Sequence, residues 1–279
     1  MRELVYDVPE NEDGRTALDF LKSRGFSRRL LIKLKWSGAI TRGGSILRTI
    51  DRVSTGDRVR VVLPDEGTLL PNPSLKAAIA YEDDDVVVFD KPPFMATHPS
   101  IKHSDDTLGN LFTALYPDNP FRAINRLDRN TSGLCVCAKN ALAASSLSGG
   151  VDKIYSAAVD GILTDCEIDL PIGRLSDSII KRGVLPDGKP ARTLCRAVLH
   201  RNNRTLLEIT LLTGRTHQIR VHLSHIGFPL CGDSLYGGDC SAIDRHALHC
   251  SRVSFISPIT GMPVNIVSEI PEDIKKLFV

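Results

Sequence analysis

No stretch of this chain approaches the run of about 20 apolar residues that a membrane-spanning helix needs, and Met1 to Gly14 is polar and acidic where a secretory signal would carry an apolar core. The seven cysteines are odd in number and scattered, without the paired spacing of a disulfide framework. Free thiols in the reducing cytoplasm are the expectation. Metal-ligand spacing is missing too: His217, His222 and His225 with Cys231 or Cys250 match no structural zinc pattern, so hydrogen-bonded or surface histidines are expected there. Cys135 and Cys137 share one face of a strand, which suits core thiols and not a redox Cys-x-x-Cys turn. The glycines between Gly232 and Gly238 lack the spacing of a phosphate loop and read as a structural turn. Long repeats and low-complexity tracts are absent as well.

What is present is ordinary in bulk: 279 residues, 42% hydrophobic and 24% charged, enough for a small module plus a larger domain with a substantial core. The net charge of +2 hides an asymmetry. Between Phe20 and Ile50 stand Lys22, Arg24, Arg28, Arg29, Lys33, Lys35, Arg42 and Arg48 with no Asp or Glu among them. Such a block is either a solvated helix face or, as favoured here, a polyanion-binding patch, with Arg24, Arg28, Arg29, Lys33, Lys35 and Arg42 as the candidate contacts.

Apolar spacing predicts a helix over Thr16 to Arg24 and a second, capped by Ser27, to about Trp36. A short extended piece at Ala39 to Thr41, a turn at Arg42 to Gly44 and a strand over Asp57 to Leu63 follow. Pro64 to Pro73 is rich in prolines and turn formers, which places a linker at 64–75 between a module at 1–63 and a domain at 76–279. In the latter, Val86 to Phe89, Leu134 to Ala138, Tyr155 to Val159 and Leu206 to Leu211 read as strands, with helices near Leu108 to Leu115 and Ile219 to His225. Strands outnumber helices without strict alternation, so the fold class is α+β.

Two segments carry the chemistry. Ala123 to Leu134 sets one carboxylate, Asp128, between Arg126 and Arg129, ahead of the polar turn Asn130-Thr131-Ser132-Gly133. Alone, that pattern is more readily a turn or a helix cap than a nucleophile. Leu212 to Leu223 adds Gly214-Arg215-Thr216-His217-Gln218-Ile219-Arg220, a dense set of cations and hydrogen bonders. Together the two resemble the RluA-type pseudouridine synthases, whose pattern is approximately His-Arg-Leu-Asp-x-x-Thr-Ser-Gly-Leu, here with Asn125 in place of His. Further pieces match in order: Asp90 to Pro93 with His98-Pro99, Lys153-Ile154-Tyr155, Pro171 to Arg174 and Asp187 to Ala191. The resemblance covers nearly everything after about Lys76, and several ordered motifs are far more specific than one.

The resemblance implies a mixed, largely antiparallel bent-sheet catalytic domain. It also implies conversion of uridine to pseudouridine in RNA without cofactor or metal. Asp128 is then the catalytic residue, by attack on the sugar or by assisting removal of a sugar proton. Arg126 would steady the extruded nucleotide or fill its vacated place, and Tyr155 would offer a stacking face and a hydroxyl. Arg215 would hold Asp128 ionised through a bidentate pair. The first two helices and sheet resemble, more loosely, the alpha-L RNA-binding module of ribosomal-RNA-modifying relatives. A cytoplasmic monomer acting on ribosomal RNA is expected, with transfer RNA left open. Two departures bear on RNA positioning: Asn125, and the short segment Asn140 to Asp152, whose serines and glycines suggest a flexible loop. A non-catalytic RNA-binding or ribosome-associated protein is the rival reading, and a carboxylate-dependent hydrolase is a third.

Overall fold

Strand alternation builds the first sheet, in a computed structural model that describes residues 2–36, 39–63, 69–100, 103–176, 178 and 180–279. β1 (Arg2–Asp7), α1 (Ala17–Lys22), α2 (Arg28–Trp36), β2 (Ile40–Arg42), β3 (Ser45–Ile46) and β4 (Arg58–Leu63) follow in order. The sheet runs β1-β4-β2-β3, with Arg2 opposite Leu63 and Asp7 opposite Arg58. Val59, Val61 and Leu63 alternate inward against Phe20, Leu21, Leu31 and Leu34 of the two helices, while Arg58 and Arg60 face solvent. Thr16 caps α1 by accepting from Asp19 N, and Ser27 does the same for Leu30 N at the start of α2. The polar N-terminus conceals β1, whose Leu4 and Tyr6 pack on this core.

A second, larger core lies across a ten-stranded sheet. In chain order its elements are β5 (Ala78–Glu82), β6 (Val86–Lys91), α3 (Leu108–Leu115), β7 (Arg122–Ala123), β8 (Ser132–Ala138), α4 (Ala141–Ser146), β9 (Asp152–Asp160) and β10 (Cys166–Asp169). Then come a separate ribbon of β11 (Ile172–Arg174) and β12 (Arg182–Val184), β13 (Arg192–Arg201), β14 (Arg204–Leu211), α5 (Gln218–His225), β15 (Leu248–Ile256), β16 (Pro263–Val267) and α6 (Glu272–Lys275). The sheet order is β10-β13-β14-β9-β15-β8-β6-β5, with β16 on β15 and β7 on β8. Every pairing is antiparallel except β8 with β15. Mixed α+β architecture with few helices is therefore correct.

β8 is buried along its whole length, which is why it reads as an unbroken apolar run. Both of its thiols, Cys135 and Cys137, are core residues. At its entry Gly133 adopts φ +105°, and a Cβ there would sit 2.3 Å from Cys250 O of β15. Only glycine lets the parallel pair close.

The segment after Asn140 is not a flexible loop. Asn140 Oδ1 accepts from Ala143 N and starts α4, while its Nδ2 donates to the buried Asp85. Ala141 and Leu142 pack against the N-terminal core, and Ser27 N donates to Ser145 Oγ at 2.9 Å. The segment's serines and glycines suggested looseness, and tertiary packing overrode them.

Gly133→Ala is expected to destabilise the protein by about 3 kcal/mol, from left-handed strain plus overpacking against β15. Gly56→Ala, at φ +83° with nothing within 4 Å of the added Cβ, should cost only about 1 kcal/mol. Urea denaturation of the two variants checks the difference, and equal losses would contradict it.

Candidate active site

Asp128 stands on a loop between β7 and β8 that makes few ladder bonds, so side-chain donors from elsewhere and one turn within the loop hold its carbonyls. Cys135 Sγ donates to Asn125 O, Thr97 Oγ1 to Leu127 O, Thr131 N to Asp128 O, and Arg245 Nη1 to Asn130 O. Lys91, fully buried, directs its Nζ at Pro92 O, Met95 O and, more distantly at 3.4 Å, Arg129 O. Burial pushes its ammonium down to about 7, although the carbonyls around it can only accept and so favour the charged form. Arg245 is fixed in turn by a bidentate pair with Asp273 of α6.

Asn125 and Leu127 point inward while Arg126 is exposed and Asp128 half-buried. Asn125 is an internal staple: its Nδ2 donates to Leu134 O and its Oδ1 accepts from Val136 N. Its departure from the family's His therefore touches the loop's attachment to β8, not a surface that meets RNA.

The cation beside Asp128 is Arg220, not the expected Arg215. Arg220 Nη1 donates to Asp128 Oδ2 at 3.0 Å, while its Nε and Nη2 grip the two oxygens of buried Asp233 at 2.7 and 2.8 Å. Burial opposes the guanidinium's charge, but the Asp233 hydrogen bonds with the fields of Asp233 and Asp128 outweigh it and raise its pKa. The Tyr236 ring lies 4.9 Å from the guanidinium carbon. Arg215 lines the same pocket with its Nε donating to Pro190 O.

His217 holds a left-handed φ of +59° at the start of α5, an uncommon conformation for a residue with a Cβ. Its Nε2 lies 3.6 Å from Asp128 Oδ2 and its Nδ1 2.9 Å from Tyr236 Oη, which accepts from Arg182 N. If the phenol donates to Nδ1, the neutral ring carries its proton on Nε2, toward Asp128. Burial keeps His217 below its ordinary pKa despite Asp128 nearby. Gln218 explains the next position of the motif: its Oε1 accepts from Thr213 Oγ1 and Arg215 N, and its Nε2 donates to Arg192 O and Thr193 Oγ1.

The predicted Arg126, Asp128, Tyr155 and Arg215 all line one pocket, together with His217 and Arg220. Tyr155 is buried on β9, and burial first, with Cys250 and Asp128 nearby, pushes its phenol well above the ordinary value. Sequence reasoning missed Arg220, His217, Asp233 and Tyr236. The first two stand inside the quoted motif, and only the fold brings in the others. His222 is a satisfied core histidine between Thr193 Oγ1 and Leu170 O, as expected, and no metal-binding cluster occurs among the described residues. The stretch from Gly232 to Gly238 is indeed a structural turn, one that delivers Asp233.

The basic block is less free than its sequence suggests. Arg24 pairs with Glu12 and stacks on Phe20, and Arg42 pairs with Asp57, both acids lying outside the basic stretch. Arg28 is exposed, while the side chains of Arg29, Lys33 and Lys35 fall outside those described.

A family model described as RNA pseudouridylate synthase matches residues 85–225. The chain belongs to that family. An uncharacterized RNA pseudouridine synthase YjbO of Bacillus subtilis is 39% identical over 94% of this chain and 98% of its own length. Ribosomal large subunit pseudouridine synthase D of Pseudomonas aeruginosa is 36% identical over 85% and 82%. Among solved structures, human RNA Pseudouridylate Synthase Domain Containing 1 superposes with a TM-score of 0.60 at 26% identity, covering 74% of this chain and 86% of that one. The enzyme is thus an RNA pseudouridine synthase. No helix among its described residues is long and apolar enough to cross a membrane.

His246, buried and hydrogen-bonded to Thr131 Oγ1, is pushed down to about 4 by burial and by Arg220. Between about 6.5 and 4 the unfolded chain takes up a proton that the native site refuses, so stability falls as pH drops through that window. The term is about 3 kcal/mol at most. Replacing His246 by Gln should flatten the wild-type pH dependence of urea midpoints between pH 6.5 and 4, and parallel curves would contradict this.

Proposed function

We propose that the synthase isomerises uridines of ribosomal RNA in the cytoplasm as a monomer, with Asp128 as the reacting carboxylate and no cofactor. The observation that carries the reading is a carboxylate held by Arg220 at the mouth of a pocket walled by Tyr155. The relatives named for the ribosomal large subunit support the choice of RNA.

Isomerisation breaks the bond from sugar to base nitrogen, turns the base in place and rejoins it through carbon, whose proton then leaves. Arg220 orients one carboxylate oxygen and leaves the other, Oδ1, without a hydrogen bond among the described residues. That oxygen is the one available to the sugar, either as nucleophile or as proton acceptor. A stacked uridine has to leave its helix to reach it, and exposed Arg126 beside the loop is placed to occupy the gap. Tyr155, kept neutral by burial, serves better as a stacking surface than as a base. The rival reading, an RNA-binding protein without catalysis, has no support from the complete set of pocket residues.

Module 1–63, proposed as an RNA-binding unit, adds phosphate contacts through exposed cations such as Lys22, Arg28 and Arg48. Removing about 70 N-terminal residues should leave a folded domain that modifies a short RNA, with weaker and less salt-dependent binding to the full RNA. Identical salt slopes for the two forms would reduce the basic segment to solvated surface.

Asp128→Asn is expected to cut pseudouridine formation by more than about 10³-fold, read by carbodiimide labelling, with RNA affinity changed less than about threefold. Normal turnover would remove Asp128 from the mechanism, and release of free uracil by the wild type would indicate a hydrolase. Tyr155→Phe should retain activity within about tenfold while Tyr155→Ala loses far more.

A further inference from the structure

The β11–β12 ribbon sets Arg174 directly opposite Arg182. Opposed residues of an antiparallel pair project from the same face with Cβ atoms about 4.5–5.5 Å apart, so like charges there repel. Both arginines line a cavity of about 520 Å³ that also takes Lys189 and Arg215 in its wall, with Asp187 as the sole carboxylate among the described residues of the lining. Among the described residues no carboxylate lies within ion-pair distance of Arg174, Lys189 or Arg215. Gly173, Gly188 and Gly214 supply much of the remaining wall. At Gly188 a Cβ would meet the Ile172 carbonyl carbon at 2.6 Å, so the chain closes there only without a side chain.

Arg174, Lys189 and Arg215, with no carboxylate at ion-pair distance among the described residues, are costly to assemble around a neutral occupant. An anion with several acceptor oxygens removes the repulsion, and guanidinium forks match phosphate oxygens. Arg215 lines this cavity and the Asp128 pocket alike, so the two are neighbours along one surface. We propose that the ribbon cavity holds backbone phosphates of the RNA strand next to the target uridine, with Arg174, Arg182 and Lys189 setting the strand's register while the Asp128 pocket receives the nucleotide. This rests on reading that pocket as the uridine site. Phosphate contacts of this kind position a nucleic acid without reading its sequence.

The test is equilibrium binding of a 12-nucleotide oligouridylate by the full chain across a potassium chloride series, in an Asp128→Asn background so that no turnover intervenes. Arg174→Gln with Lys189→Gln should reduce the slope of log affinity against log salt by about 1.4, two single-strand contacts at about 0.7 each. Arg174→Gln alone should give about half of that. Both side chains are exposed, so thermal melting should be unchanged. Arg201→Gln with Arg252→Gln removes the same charge from exposed sites outside the cavity and should leave the slope alone. Equal slopes for the parent and the cavity pair, or an equal loss from the control pair, would overturn the proposal. So would stabilisation of the parent by inorganic phosphate alone without any change in the RNA slope, which would mark a small-anion site. Failure of the uridine reading shows separately, as absence of pseudouridine from wild-type reactions.

Discussion

Arg220 binds two carboxylates at once, and the arrangement of the site follows from that division. Asp233, almost wholly buried, takes the Nε and Nη2 side of the guanidinium, and half-buried Asp128 takes Nη1. A planar fork gripped on one edge has little freedom to swing, so Nη1 fixes where the Asp128 carboxylate stands. Asp233 offsets the desolvation of Arg220 through its hydrogen bonds and its field. Tyr236 lies against the guanidinium and hydrogen-bonds His217, so the imidazole near Asp128 is positioned through the same group.

This pair needs a backbone that does not move, and the loop carrying Asp128 has no strand or helix to supply one. Its stiffness comes from side chains distant in sequence. Thr97 takes Leu127 from both backbone sides, Asn125 bonds across to β8, and Arg245, locked by Asp273, holds Asn130 O. The C-terminal helix α6 thereby reaches the Asp128 loop through one arginine. Gly133 closes the same region from below by letting β8 approach β15.

Much of this was legible in the sequence because strand periodicity and cap residues act locally. β6, β8, β9, β14, α3 and α5 lie where apolar spacing put them, and Ser27 caps the helix it precedes. Asp128, Arg126 and Tyr155 meet in one pocket as the family pattern implied. The partner of Asp128 was misread because Arg215 and Arg220 share one short motif, and only the helical phase of α5 turns Arg220 inward while Arg215 stays at the rim. Asp233 and Tyr236 stand in a glycine turn whose role is long-range and carries no local signal. Likewise the acid partners of Arg24 and Arg42 come from Glu12 and Asp57, beyond the window in which the basic block looked unmatched. β13, β15 and the helix after Asn140 escaped because tertiary pairing, more than propensity, decides them.

Arg220, anchored by Asp233, holds the Asp128 carboxylate in place, and the proposed reaction depends on that hold. A double-mutant cycle on single-turnover pseudouridine formation, with Arg220→Lys, Asp233→Asn and the pair, tests this most directly. Each single change should lower the rate by about 100-fold or more at nearly unchanged RNA affinity, and the double should lose no more than the worse single. Losses that multiply would show that the two residues act independently, and singles within a few-fold of the wild-type rate would show that Asp128 does not depend on them.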